Sequence, residues 1–253
     1  MADQSLSFRP LAPSREVGPG DDIAALIVEA DSDQLTAADV VVVSHKVVSK
    51  AEGCLVDLAE VDPSERAVEL ASAQNRDPRH VQVILDQSSE VLRAQHGVLI
   101  CVTHHGFVCA NAGVDESNVA PTGHALTLPL DPDSSARRIR ANLEKMTGVR
   151  PAVVIADSFG RAWRFGQVDV AIGCAGLQPL DDWRGRTDRH GRKLEATELA
   201  VADSIAAAAD LARGKDSSQP FVVASGLDRF VTEADGPGAV AMLRPASQDL
   251  FRR

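Results

Sequence analysis

The segment Val153-Val154-Ile155-Ala156-Asp157-Ser158-Phe159-Gly160-Arg161-Ala162-Trp163-Arg164-Phe165-Gly166 constrains this chain most. It opens as a short apolar run rich in β-branched residues, which predicts a buried strand. The run stops on an acid and a hydroxyl. Asp157 and Ser158 are therefore expected where a strand hands over to a loop, the usual place for a site in an α/β sheet. A carboxylate beside a hydroxyl suits a hard cation such as Mg²⁺ or Mn²⁺. Gly160 and Gly166 bracket the expected loop, and Arg161 and Arg164 bring two guanidinium groups to it. Acid, cation and arginine together point to phosphate chemistry. A strand, a turn and a solvated basic loop is the plain alternative.

Two further apolar runs end in the same way. Val40 to Val43 leads into a loop carrying His45, Lys46 and Lys50, whose lysines suit point-charge contact with phosphates. His45 is read either as part of that site or as an ordinary loop histidine. Val98 to Val102 predicts a strand, Thr103-His104-His105-Gly106 a turn, and Phe107 to Ala110 the return strand. Asn111-Ala112-Gly113-Val114-Asp115-Glu116-Ser117-Asn118 follows, offering Asp115 as a second carboxylate and Asn111 and Asn118 as amides. His104 and His105 are not expected to share a metal, because neighbours in an extended segment face opposite ways.

Helix signals lie between these runs. Asp21-Asp22 precedes an apolar helix from Ile23, Asp62 with Pro63 is read as a cap, and Asp77-Pro78 repeats that signal. Asp133-Ser134 is read as the cap of a helix to about Thr147, closed by Gly148. Its arginines Arg137, Arg138 and Arg140 are read as a solvated basic side by default, with help in holding an anionic substrate tail as the alternative. Thr197-Glu198 is read as opening an alanine-rich helix, Leu199 to about Ala212, closed by Gly214 and followed by Lys215. No G-x-x-x-x-G-K-[ST] precedes that lysine, so it is not a P-loop. Val168 to Gly176 predicts a small-residue strand with close backbone packing. Leu180 to Arg192 reads as a basic lid or an exposed connector, and Phe221 to Ala224 as a last strand. Residues 1–20 read as irregular, and His80 and His96 as solvent-facing.

The chain has 253 residues and a net charge of −10, which disfavours nucleic acid and anionic membrane as partners. Its four cysteines form no C-x-x-C pair, so zinc has no support. The N-terminus lacks the marks of a signal peptide, and no apolar run approaches the roughly 20 residues of a membrane span. A cytoplasmic protein is expected.

Four motifs stand in order: S-K-A-E-G at Ser49 to Gly53, N-A-G-V-D-x-S-N at Asn111 to Asn118, D-S-x-G-R-x-x-R-x-G from Asp157, and D-R-H-G-R-K-L-E-A-T-E-L-A-V-A-D from Asp188. Together they resemble the coenzyme F420 γ-glutamyl ligases over residues 15–225. The resemblance implies a mixed α/β (α+β) fold with two interleaved subdomains, neither Rossmann nor P-loop. It implies a single ligase domain over residues 1–253 without a following reductase domain. The implied reaction is GTP-dependent joining of L-glutamate, then further γ-linked glutamates, to the phospholactyl carboxylate of the deazaflavin coenzyme F420 through an acyl phosphate. Mg²⁺ or Mn²⁺ is the implied metal and K⁺ an optional further cation. By the same resemblance Asp115, Asp157 and Ser158 hold metal, and Lys50 and Asn118 the nucleotide. Arg161 and Arg164 neutralise phosphate or substrate carboxylate. His45, Lys46, Gly214 and Lys215 join the nucleotide set. The family more often has threonine at the position of Ser158. An intertwined homodimer is also implied. A related ligase for another carboxylic acid, a metal-dependent phosphohydrolase and a non-catalytic nucleotide-binding module are the competing readings.

Overall fold

The computed structural model describes residues 5–31, 34–116, 122–214 and 216–251. Strand β1 (Ser7–Leu11) and helix α1 (Ile23–Ala30) come first. Strand β2 (Val40–Ser44) then runs directly into helix α2 (His45–Ala51). Next come β3 (Leu55–Asp57), α3 (Glu65–Gln74), α4 (Pro78–Asp86), β4 (Ser88–Gln95), β5 (Val98–Thr103), β6 (Val108–Ala110) and β7 (His124–Leu126). Helix α5 (Pro132–Thr147), the hairpin β8 (Ala152–Arg161) and β9 (Arg164–Ala175), the pair β10 (Leu180–Asp182) and β11 (Glu198–Ala200), α6 (Val201–Ala212) and β12 (Phe221–Ser225) complete the order.

The main sheet has the order β1-β12-β2-β8-β9, with β2 and β8 parallel and every other pair antiparallel. Its central strands are apolar on both faces, as a sheet covered on both sides requires. Val41, Val43, Val153 and Ile155 pack with α1 and α5. The alternate residues Val40, Val42 and Val154 pack with α6. Ala202, Ala206 and Ala209 let α6 lie close to the sheet, so this chain itself takes up the alanine face.

A smaller unit is inserted between α2 and α5. Helices α3 and α4 cover the sheet β4-β5-β6 around Ala67, Val81, Ile84, Leu99 and Cys101. Strands β3 and β7, where the chain leaves and returns, pair side by side. All four cysteines are free, and Cys101, Cys109 and Cys174 are buried. Among the described residues, no helix is long and apolar enough to cross a membrane.

Several expectations need correction. Residues 7–11 form an edge strand, where Pro10 is tolerated because an edge N–H need not join a ladder. Ser64, not Asp62, caps α3, accepting from the Ala67 amide. Asp131 caps α5, which starts at Pro132. Asp133 is instead a buried acid that accepts the amides of Cys174 (2.8 Å), Ala239 (2.7 Å) and Val240 (3.2 Å). Residues 198–200 belong to β11, so α6 begins at Val201.

Arg140 is not on a solvated side: it is 1% exposed. It donates to the carbonyls of Pro151 (3.0 Å), Glu233 (3.1 Å) and Thr232 (2.7 Å), and to Asp235 at 2.7 Å. Gly176, at φ 71°, faces the guanidinium at a distance that leaves no room for a Cβ. His80 is buried too, with Nδ1 2.9 Å from Arg76.

Candidate functional site

The stretch from Asp157 to Gly166 is not a loop. Past Ala156, the last residue paired to β2, strand β8 continues as one arm of a hairpin with β9 and turns only at Ala162-Trp163. Asp157 thus stands one residue beyond the end of the parallel β2–β8 pair, which keeps it at the mouth of the sheet. A register shift after Ile155 marks where the arm departs.

The start of α2 lies against that mouth. His45, read above as a loop residue, is the first residue of the helix and is buried. Its Nε2 is 3.1 Å from Asp157 Oδ1, and its Nδ1 is 3.4 Å from Ser49 Oγ. Lys46 Nζ is 2.6 Å from Asp115 Oδ2. Two acids from different units therefore meet consecutive residues of one helix. Burial alone would raise the Asp157 carboxyl. The charge and hydrogen bond of His45, the Ser158 amide at 2.7 Å and the charge of Lys46 outweigh it and hold the group below the ordinary carboxylate range. Cys109 lies near this acid. Burial first, then the Asp157 charge, push its thiol up to about 12, so it serves as an inert wall.

Asp115 is presented by a strained turn. Asn111, Ala112 and Gly113 all have left-handed φ, at 53°, 53° and 72°. Arg76 pins this turn by donating to Asn111 Oδ1 at 2.7 Å. Asp115 then bridges to Leu126, N–H to carbonyl, at 3.0 Å one way and 2.8 Å the other. Such strain persists where surrounding bonds over-determine it.

The remaining candidates divide. Lys50 lies one turn after Lys46 on α2, half-buried and on the same helical face. Ser158 is not with the acids: strand alternation sends its hydroxyl to the opposite face, where it donates to Asp169 Oδ1 at 2.5 Å. Arg161 and Arg164 pair across the hairpin tip, Arg161 donating to the Phe165 carbonyl at 2.6 Å. Four residues of strand put Arg161 about 13 Å beyond Asp157. The arginines are therefore not beside the acids within one chain. Gly214 follows α6 and accepts from Ser217 Oγ at 2.7 Å. Asn118 and Lys215 lie outside the described residues.

The turn histidines do not share a metal site. His104 Nε2 is 2.9 Å from the Asp86 carbonyl, and His105 Nε2 is 2.9 Å from that of Pro129. The basic loop after β10 stacks Arg186 on Trp183 at 4.8 Å. Its base is the β10–β11 pair, which leads directly into the start of α6. Two residues escaped the sequence reading, Asp169 and Arg213, which form an ion pair behind Ser158. The available signal was a lone acid between Val168 and Val170 in an otherwise apolar strand.

A profile described as F420-0:Gamma-glutamyl ligase matches residues 13–226 of the chain. The chain is similar to the coenzyme F420:L-glutamate ligase of Methanothermobacter thermautotrophicus, 46% identical over 240 residues that cover 93% of this chain and 94% of that protein. The protein of the same description from Methanopyrus kandleri is 44% identical over 250 residues, 98% of each chain. That of Haloarcula marismortui is 41% identical over 245 residues, 94% of this chain and 92% of the other.

Proposed function

The chain belongs to the F420-0:gamma-glutamyl ligase family, and on that premise we propose that it joins L-glutamate to the phospholactyl carboxylate of the deazaflavin coenzyme F420. GTP drives the reaction, and further γ-linked glutamates follow. The observation that carries this reading is the meeting of Asp157 and Asp115 at His45 and Lys46.

A carboxylate does not expel oxide, so it must be activated first. A carboxylate oxygen of the acid attacks the γ-phosphorus, its O–P bond forms, the bridging P–O bond breaks and GDP leaves. The glutamate amine then attacks the acyl carbon, the C–N bond forms, the bond to phosphate oxygen breaks and the amine gives up a proton. The protein's part is to gather crowded anions and hold an amine in line. Lys46 and Lys50, one helical turn apart, place two point charges along the phosphates. Gly214, Lys215 and Asn118 complete the nucleotide side.

The donor set fits a hard cation. Mg²⁺ characteristically takes one or two carboxylates and fills the rest of its shell with water and phosphate oxygens. Asp115 and Asp157 supply those carboxylates, and Asp157 is held ionised for the purpose. Held by these two acids, Mg²⁺ or Mn²⁺ would supply neutralisation of the phosphate charge. K⁺ is a further cation for the same anions. The Ser158 hydroxyl joins such a site only by turning away from Asp169.

Arg161 and Arg164 serve a site that the hairpin tip reaches, and we assign that role to a second copy of the chain. Trp163 and Phe165, 83% and 101% exposed at the tip, support such a homodimer. Sedimentation velocity at micromolar concentration is expected to give a dimer, and a monomer contradicts the assignment. For the activity, the protein is incubated with GTP, Mn²⁺, L-glutamate and the unglutamylated coenzyme. The expected result is a mass gain of one or more glutamyl units with GDP release. GDP release without mass gain, with or without glutamate, favours a phosphohydrolase and overturns the reading.

A further inference from the structure

On the face of β8 away from the two acids, polar side chains form a continuous path. Ser158 Oγ donates to one oxygen of Asp169 at 2.5 Å, and Arg213 Nη2 pairs with the other. Arg213 Nη1 donates to the Pro220 carbonyl at 3.3 Å, and its Nε lies 3.8 Å from Asp210. The Pro220 carbonyl also accepts the Ser44 amide at 2.9 Å. Ser44 is the residue from which α2 starts, and His45, next in the chain, holds Asp157. Asp157 and Ser158 leave opposite faces of one strand, yet a ring through Asp169, Arg213, Pro220 and α2 joins them.

The ring is buried where it matters: the Asp169 and Arg213 side chains are 1% and 10% exposed. Gluing β9 to α6 needs only the ion pair. The second arm of Arg213 does something else, reaching Pro220 in a stretch whose described residues, 216–220, form neither helix nor strand. That segment includes Ser218 at a left-handed φ of 54°.

We propose that Arg213 is a positioning residue that clamps segment 216–220 and the start of α2 to the strand bearing Asp157 and Ser158. It thereby sets the mouth that receives the triphosphate. The identity of that ligand rests on the ligase reading; the clamp itself does not.

The test compares the full-length protein with Arg213→Lys, which keeps the charge opposite Asp169 but cannot bridge two partners. Asp169→Asn serves as a second variant, retaining an acceptor for Ser158 while removing the charge. Amide hydrogen exchange is followed at Ser44 and at 216–219, alongside KM for GTP, KM for the deazaflavin acid, and kcat. In Arg213→Lys those amides are expected to exchange about tenfold faster or more, and KM for GTP to rise about tenfold, as for losing one charge-assisted bond. KM for the acid and kcat stay level. Asp169→Asn shifts the same quantities in the same direction. Unchanged exchange, a common fall in all kinetic parameters, or unfolding of both variants at 25 °C overturns the proposal, since the pair is then no more than a fold determinant. A wild type that ligates no glutamate, with Arg213→Lys still loosening the same amides, overturns the ligase reading and leaves the clamp standing.

Discussion

Helix α5 and helix α2 both carry charge into the interior, and they close it differently. On α5, Arg140 ends on three carbonyls and one acid, and Asp133 on three amides. Backbone partners cannot leave without unfolding, so these charges fasten the segment 232–240 to the body. On α2, His45 and Lys46 end on the side chains Asp157 and Asp115. Side-chain partners can be exchanged for an incoming ligand at no cost to the chain trace. Buried charge met by backbone marks architecture, and charge met by side chains at an opening marks a site.

The strongest way to break that contrast is at Arg140. Arg140→Met leaves the Pro151 and Thr232 carbonyls without this donor and Asp235 with Arg150 alone, at 3.0 Å, and is expected to cost about 2–4 kcal/mol of stability, as for buried acceptors that lose their donor. Chemical denaturation measures it. The contrast requires that the folded fraction keep its kcat, so a kinetic defect below the transition would place α5 in the site.

Asp157→Asn runs the other way. It keeps shape and a hydrogen-bond acceptor for His45 but removes the charge. A fall of about a hundredfold to a thousandfold in kcat/KM is expected, in the range of one lost preorganised electrostatic partner, with melting temperature little changed. Manganese affinity, read by electron paramagnetic resonance, should fall in parallel. Turnover near that of the wild type would remove Asp157 from the site. Asp157→Ala is the poorer variant, because the acid is largely buried and alanine would leave His45 without its partner.

Lys50→Met sharpens the reach of the α2 surface. The methylene stem is retained, so stability should hold to within about 0.5 kcal/mol, while kcat/KM for GTP falls about tenfold to a hundredfold. An unchanged value would confine the nucleotide contacts of this helix to its first turn.

The smallest effect belongs to the inserted unit, at His80. Burial lowers its pKa; Glu116, though only 3.9 Å away, is half exposed and does not reverse this, and Arg76 adds to the lowering. Below about pH 6.5 the unfolded chain takes up a proton that the folded imidazole resists. Stability contributed by neutral His80 is therefore present above that pH and is lost as pH falls toward the folded value. Melting temperature should drop more steeply between pH 7 and 5.5 in the wild type than in His80→Gln. Equal slopes would exclude the imidazole as the cause.

The strands that could be read directly were those whose burial writes itself as a run of β-branched residues: β2, β5, β8 and β12. Strand β1 was missed because an edge strand needs neither a donor at every position nor apolar side chains on both faces, so Pro10 and Arg9 read as irregular. Strand β4, Ser-Ser-Glu-Val-Leu-Arg-Ala-Gln, is half-exposed and too polar to signal itself. Caps at Asp22 and Asp77 were legible. At α3 the cap moves from Asp62 to Ser64, because proline after an acid marks a helix start only to within a turn; at α5 the Asp131-Pro132 pair marks the start itself, and the later Asp133-Ser134 pair, an equally good cap by residue type, obscured it.

Within the site, Asp115, Asp157, Lys46 and Lys50 were legible as residue types at the ends of strands. Their pairing was not, because it depends on β2 entering α2 without a loop. Nor did the sequence disclose the burial of Arg140. Its carbonyl partners at 232 and 233 lie 92 and 93 residues away in the chain, beyond any local pattern.

The place of β12 in the sheet sets an order for biosynthesis. Among the described residues strand β1 pairs only with β12, and β12 stands between β1 and β2. At about 5–20 residues per second, roughly ten to forty seconds of translation separate the emergence of β1 from that of its partner. During that interval β1 and one edge of β2 face solvent or a chaperone with open backbone groups. The inserted unit, whose strands pair with near neighbours, can fold during the wait. The ribosome thus delivers a finished appendage on an unfinished body, and a chain cut short before residue 221 would leave that sheet edge open.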